Sequence, residues 1–165
     1  KMGANIEIKN QRSDSGEPCA DLFVKRSQLK GIELSGEIIP NIIDEIPIIS
    51  VAAAFADGKT SIRDAKELRV KESDRLKAVS EGFSALGIMH ENFEDGMSIQ
   101  GTTNKLKIDN SISIESHEDH RIAMSFLIAG INCSKPITVK NCENIFTSFP
   151  NFIKLISSIG YELKK

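Results

Sequence analysis

Lys71-Glu72-Ser73-Asp74-Arg75 places two cations and three potential acceptors at the start of an amphipathic stretch. Cations there oppose the helix dipole, which favours anions at a helix N-terminus. Glu67, Glu72 and Asp74 lie close enough in sequence to pair with them, giving a solvated charged turn. In the other reading, Lys71 and Arg75 share one helix face and join the free N–H groups of the helix start to receive a phosphate or carboxylate. Glu72 beside them could then transfer a proton. Physical chemistry alone weighs these two readings evenly.

Three further helix starts carry polar residues. In Ile43-Asp44-Glu45-Ile46-Pro47, Asp44 reads as an N-cap with Pro in the first turn. The alternative is a carboxylate aimed at a substrate hydroxyl. In Glu115-Ser116-His117-Glu118-Asp119-His120-Arg121, Asp119 can cap the helix that follows, leaving His120 and Arg121 at its positive end. The spacing of this cluster fits no standard zinc pattern, so no metal is expected. Thr147-Ser148-Phe149-Pro150 reads as a plain cap with Pro in the first turn. No GxGxxG, Walker A, GxSxG or HExxH motif occurs, so nucleotide-dependent chemistry has no motif support.

The elements that must position these residues follow from periodicity. Residues 5–9 and 21–25 read as strands around a polar, turn-rich loop at 10–21. Residues 47–56 read as a buried helix and 60–63 as a strand. Leu76, Val79, Phe83 and Leu86 recur at steps of three and four, giving a helix over 71–86 stopped by Gly87. Residues 88–93 and 97–100 form a hairpin around Asp95-Gly96. The order then returns: strand 113–115, helix 122–131, strand 136–140, helix 149–158 stopped by Gly160, and a closing strand 161–165. Ser73 and Ser148 read as equivalent helix starts, an offset of roughly 75 residues and too long for a thin solenoid. Alternating strands and helices imply α/β layers.

Composition narrows the function. The 165 residues, 40% hydrophobic, suit one domain with a real core. A net charge of −2 argues against a nucleic-acid or anionic-membrane binder. No apolar run approaches the roughly 20 residues needed to span a bilayer. The three cysteines, Cys19, Cys133 and Cys142, read as reduced thiols of a cytoplasmic protein. A start at Lys1-Met2 reads as a fragment or processed product.

Glu67-Leu68-Arg69-Val70-Lys71-Glu72-Ser73-Asp74-Arg75-Leu76 resembles the Arg-Val-Lys-Glu-Ser/Thr-Asp-Arg-Leu motif of the EPSP synthase family, the 3-phosphoshikimate 1-carboxyvinyltransferases. Asp44-Glu45-Ile46-Pro47 upstream, Asp119-His120-Arg121-Ile122-Ala123-Met124 downstream, and Ser148-Phe149-Pro150 near the end are similar to family motifs in the right order. The resemblance covers essentially the whole chain and part of the family's enzyme.

It implies a C-terminal part of a two-lobe α/β (α+β) protein built from βαβαββ units, the inside-out α/β barrel of the enolpyruvyl transferases. Residues 1–36 would be strands of a preceding unit, 37–107 one repeat unit and 108–165 another. The implied reaction is transfer of the enolpyruvyl (carboxyvinyl) group of phosphoenolpyruvate to the 5-hydroxyl of shikimate 3-phosphate, on the shikimate pathway to chorismate and the aromatic amino acids. Lys71, Arg75 and Arg121 match the family's phosphoenolpyruvate cations, with His120 a further candidate. Glu72 matches the carboxylate that moves a proton at the methylene carbon. Asp44 matches the one that contacts the 5-hydroxyl. No cofactor or metal is implied, and the enzyme would be cytoplasmic and monomeric, completed by an N-terminal lobe outside this chain. This fragment alone is expected to be inactive. Thr147 stands where many members have a phosphoenolpyruvate-binding Lys, and the wording there is closer to the glyphosate-insensitive class. Two alternatives stay open: the sister transferase acting on UDP-N-acetylglucosamine, and a non-catalytic anion-binding module.

Overall fold

The computed structural model describes residues 1–163. The chain opens with a hairpin, β1 (Asn5–Asp14) and β2 (Glu17–Lys25), paired antiparallel. Both strands run into the segment expected as a loop. The actual turn is Ser15-Gly16, with φ of 53° and 88°. Asn10, at φ 49°, breaks the register between Lys9 and Arg12. Every residue of β1 is exposed, so its polar positions had no buried face to alternate against and read as loop.

β3 (Glu33–Leu34) leads into a run of short helical turns containing α1 (Ile39–Ile42), then α2 (Ile46–Ala54), and β4 (Lys59–Ile62). α2 starts and ends close to expectation, and Ile46, Val51, Ala53 and Ala54 are buried. A tight turn at Lys66–Val70 precedes α3 (Arg75–Leu86), followed by the hairpin β5 (His90–Phe93) and β6 (Gly96–Gln100). Sheet order is β3-β4-β6-β5, with β3 parallel to β4 and the other pairs antiparallel. This is a βαβαββ unit, and it takes in Glu33–Leu34, upstream of the expected start at 37.

α3 begins four residues later than the periodicity suggested. Its cap is Asp74, whose carboxylate accepts from the Lys77 N–H at 3.0 Å, so Ser73 is not the helix start. Leu76, Val79, Phe83 and Leu86 form its buried stripe. Gly87 closes it at φ 69°, a left-handed conformation that glycine adopts without strain.

The order then repeats through β7 (Ser113–Glu115), α4 (His120–Ile131) and β8 (Thr138–Lys140), with β7 parallel to β8. The expected helix over 149–158 is shortened to α6 (Phe152–Ser158), and an unexpected short helix, α5 (Ile145–Ser148), precedes it across Phe149-Pro150-Asn151. Pro150 forces Phe149 out of helical geometry, to φ −143° and ψ 76°. Ser148 therefore ends a helix rather than starting one, and the cap position of α6 is Asn151. Residues 161–163 of the expected closing strand are not strand, and Lys164 and Lys165 lie outside the described residues.

The core lies between α2, α3, α4 and the four-stranded sheet, and a smaller cluster joins Ala123 to Ile145, Phe152 and Ile156. α3 and α4 cross where a Cβ on Gly82 would come within 2.1 Å of the Phe126 ring. That close approach brings the N-termini of α3 and α4 together beside the start of α2.

Candidate active site

Asp44 lies in the tight turn Ile43–Glu45 that feeds α2, and its side chain makes no capping bond. The capping reading is therefore wrong, and its carboxylate serves elsewhere. Asp44 Oδ1 accepts from Arg75 Nη1 at 3.0 Å and lies 3.5 Å from Lys71 Nζ, while the Asp44 carbonyl accepts from Arg121 Nη1 at 2.9 Å. Three cations from two separate segments thus converge on one aspartate. Lys71 is outside the helix, so the convergence comes from the turn before α3 and not from a shared helix face.

Arg75 opens α3, and its side chain is 1% exposed. It gives Nε to Asp119 Oδ2 at 2.8 Å, Nη1 to Asp44 and Nη2 to Glu72. Asp119 caps α4 as expected, accepting from the Arg121 and Ile122 N–H groups at 2.9 and 3.4 Å. It also accepts from Ser73 Oγ at 3.1 Å and is fully buried. No local pattern foretold this link across 44 residues, because the cap motif accounts for Asp119 without it.

The flanking turns hold the cluster in place. Arg69 gives Nη1 to Asp74 at 3.0 Å, and Nε and Nη2 to the carbonyls of Glu94 and Phe93 at 2.8 Å each, pinning the turn before α3 to the β5–β6 hairpin. His117 and Glu118, at φ 55° and 58°, are consecutive left-handed residues just ahead of Asp119. Such conformations cost about 1–3 kcal/mol each and persist only where the surroundings enforce them. Here Ser116 Oγ donates to the Asn141 carbonyl at 2.6 Å, and Asn144 Nδ2 donates to the Glu118 carbonyl.

Burial raises the Asp44 carboxyl, but Lys71, then Arg121 and Arg75, outweigh it and hold it below the usual carboxylate range. Asp119 is likewise raised by burial and lowered further by Arg75 and the Arg121 N–H. The hydrogen bond to Glu67, at 2.5 Å, is the main reason Lys71 is pushed upward. Arg121 Nη1 also meets Glu45 Oε1 at 2.6 Å. Glu67 pairs with Lys71 as the charged-turn reading expected, whereas Glu45 is a member of the cluster that motif reading quoted without assigning it a part.

A cleft of about 350 Å³ opens beside the cluster. Asp44, Glu45, His120 and Arg121 form its polar end, and Ile48, Met124, Phe149 and Phe152 its apolar end. His120 is thus brought to the site, whereas Lys71, Glu72 and Arg75 lie behind Asp44 and do not line the cleft. Thr147 gives its hydroxyl to the Asn144 carbonyl at 2.9 Å. Among the described residues, no group of three or more His, Cys, Asp or Glu is arranged to hold a metal ion.

The sequence profile of EPSP synthase (3-phosphoshikimate 1-carboxyvinyltransferase) matches residues 1–156. The chain belongs to the EPSP synthase family. It is 48% identical over 163 residues to the 3-phosphoshikimate 1-carboxyvinyltransferase of Magnetococcus marinus, covering 99% of this chain and 36% of that relative. The corresponding Legionella pneumophila protein is 46% identical over 165 residues, covering 100% and 37%. The chain therefore spans little more than a third of these EPSP synthases. A solved EPSP synthase from Acinetobacter baumannii superposes with a TM-score of 0.92 at 42% identity, over 99% of this chain and 38% of that one. The enolpyruvyl transferase NikO from Streptomyces tendae gives a TM-score of 0.68 at 18% identity, over 96% and 33%, a likeness of fold alone. The expected enolpyruvyl transferase α/β fold is thereby established.

Proposed function

We propose that this chain is the C-terminal part of an EPSP synthase that transfers the carboxyvinyl group of phosphoenolpyruvate to the 5-hydroxyl of shikimate 3-phosphate, with release of phosphate. The observation that carries the reading is the meeting of Lys71, Arg75 and Arg121 at Asp44, since the four come from three motif segments far apart in sequence. Residues 33–107 and 108–165 serve as its repeat units, with the β1–β2 hairpin before them part of another. Among the described residues no helix is long and apolar enough to cross a membrane, in keeping with a cytoplasmic biosynthetic enzyme.

In this reading Lys71 and Arg121 receive the phosphoenolpyruvate anion. Arg75 reaches it only when Glu72 leaves Nη2. Asp44, ionised among the cations, accepts a hydrogen bond from the 5-hydroxyl and aims its oxygen at the substrate's central carbon. Arrival of a dianion would offset the cations around Asp44 and raise its basicity as the hydroxyl proton departs. Glu72, freed from Arg75 and taking up a proton from solvent, delivers it to the methylene carbon and takes one back as phosphate leaves. Cations and the α4 N-terminus stabilise the developing charge.

The test is turnover by the full-length enzyme carrying this chain, following phosphate release from phosphoenolpyruvate. The expected result is release that depends on shikimate 3-phosphate. Release dependent on UDP-N-acetylglucosamine instead, or none with either acceptor, would overturn the proposal.

A further inference from the structure

Three cations at this site, Lys71, Arg75 and Arg121, face five carboxylates: Asp44, Glu45, Glu67, Glu72 and Asp119. Five acids against three bases leave a formal charge of −2, which repels a phosphate. An entering anion must displace a carboxylate. Asp119 is buried and satisfies two backbone N–H groups, so it cannot leave. Asp44 is shared by Arg75 and Lys71. Neither Glu67 nor Glu72 lines the cleft.

Glu45 differs from these. It lines the cleft beside His120 and Arg121, its side chain is 56% exposed, and its bond to Arg121 Nη1 is its one ion pair among the described residues. Arg121 does not depend on it for position, because the same Nη1 is also held by the Asp44 carbonyl and the residue's N–H by Asp119. When Glu45 swings out, the guanidinium remains aimed at the cleft with an open face.

We infer that Glu45 is a resident competitor: its carboxylate occupies the anion position on Arg121 in the empty site and sets how tightly a phosphate-bearing substrate binds there. Resting on the function proposed above, that substrate is phosphoenolpyruvate. An exposed ion pair contributes little to stability and is screened by salt, so the exchange is cheap and reversible. The device keeps Arg121 paired in the open site and makes binding selective for anions that outbid a single carboxylate.

The experiment compares Glu45→Gln with wild type in the full-length enzyme, by calorimetric titration with inorganic phosphate at low ionic strength. Phosphate should bind about two- to five-fold tighter in the variant, the range set by releasing one exposed ion pair. The gain should shrink at high salt, and the melting temperature should stay at the wild-type value. The KM for phosphoenolpyruvate should fall by a similar factor while that for shikimate 3-phosphate holds. Glu45→Ala gives the same reading should the Gln variant disturb folding. Unchanged or weaker phosphate binding in a variant that melts like wild type would overturn the inference. If the wild-type enzyme shows no carboxyvinyl transfer, the proposed function fails, and tighter phosphate binding by the variant still upholds the part played by Glu45.

Discussion

Asp44, Glu72 and Asp119 are all carboxylates within reach of Arg75, yet their surroundings assign them different work. Asp119 is sealed between a buried guanidinium and the start of α4, so removing it strips the buried Nε of Arg75 of its partner and leaves the Arg121 and Ile122 N–H groups uncapped. Asp119→Ala should therefore cost about 3–5 kcal/mol, the usual penalty for breaking a buried pair from one side. Denaturant unfolding of full-length enzyme would measure it. The acid limb of stability follows from the same group. Because the folded-state pKa of Asp119 is lowered, its contribution is fully present above the unfolded value of about 4 and is lost as pH falls through the lower folded value. Melting temperature should be level from neutral pH down to about 5 and drop below about 4, and Asp119→Asn should flatten that drop. Glu72 and Asp44 are half exposed and cap nothing. Glu72→Gln and Asp44→Asn should each slow turnover by about 10²–10⁴-fold, the usual worth of a general acid or base, with melting barely changed. A variant that melts far lower but keeps its rate would show a structural part instead. The clustering of cations and acids near helix starts was legible in the sequence, and only the family resemblance singled out Asp44, Lys71, Glu72, Arg75 and Arg121 among them. Its wiring was not, because Arg75–Asp119 and Arg121–Glu45 are contacts made only by the crossing of α2, α3 and α4.

At the scale of elements, α3 separates chemistry from packing along one helix. Its first residue is the buried arginine, and the stripe below it, Leu76, Val79 and Phe83, fills the core against α4 and the sheet. Leu76→Ala or Phe83→Ala should lose about 2–5 kcal/mol by leaving a cavity, measured by the same unfolding curves. Any fall in rate should then track the fraction unfolded. Gly82→Ala is the opposite case, a methyl driven against the Phe126 ring, and it should disturb the approach of the two helix starts. Apolar residues at helical spacing made α3 readable, since burial on one face is what produces the period, while continuous apolar runs marked α2 and α4 and Asp95-Gly96 marked the β5–β6 hairpin. Where burial is missing the reading failed. Residues 10–14 of β1 are exposed and polar and looked like a loop, while α5 was missed and Pro150 stands in the gap before α6 and not in the first turn of a helix. Asp74 rather than Ser73 caps α3 for a tertiary reason: Arg69 holds the Asp74 carboxylate, and Ser73 is drawn to Asp119.

For the whole molecule, the balance of charge and the exposed apolar surface point the same way. Ile6, Ile8, Leu22 and Val24 share one face of the β1–β2 hairpin, because Ile6 pairs with Val24 and Ile8 with Leu22, and they are 52–68% exposed. A hairpin with such a face is marginal unless it is packed on something else. At the other end of the problem, both proposed substrates carry phosphate, and the chain's cations are already outnumbered by acids around Asp44. In the proposed enzyme, further positive charge and a wall to exclude water come from residues outside this chain, which spans little more than a third of the length of its EPSP synthase relatives. The isolated chain should accordingly give no detectable carboxyvinyl transfer with phosphoenolpyruvate and shikimate 3-phosphate. Whatever phosphate it binds should be weak and should fall steeply with salt, because the open site is screened. Adding the remainder of the enzyme as a separate polypeptide should restore phosphate release that depends on both substrates. Turnover by this chain alone, at a rate that rises in proportion to its concentration, would show that the cluster at Asp44 is sufficient and that the second lobe is dispensable for the chemistry.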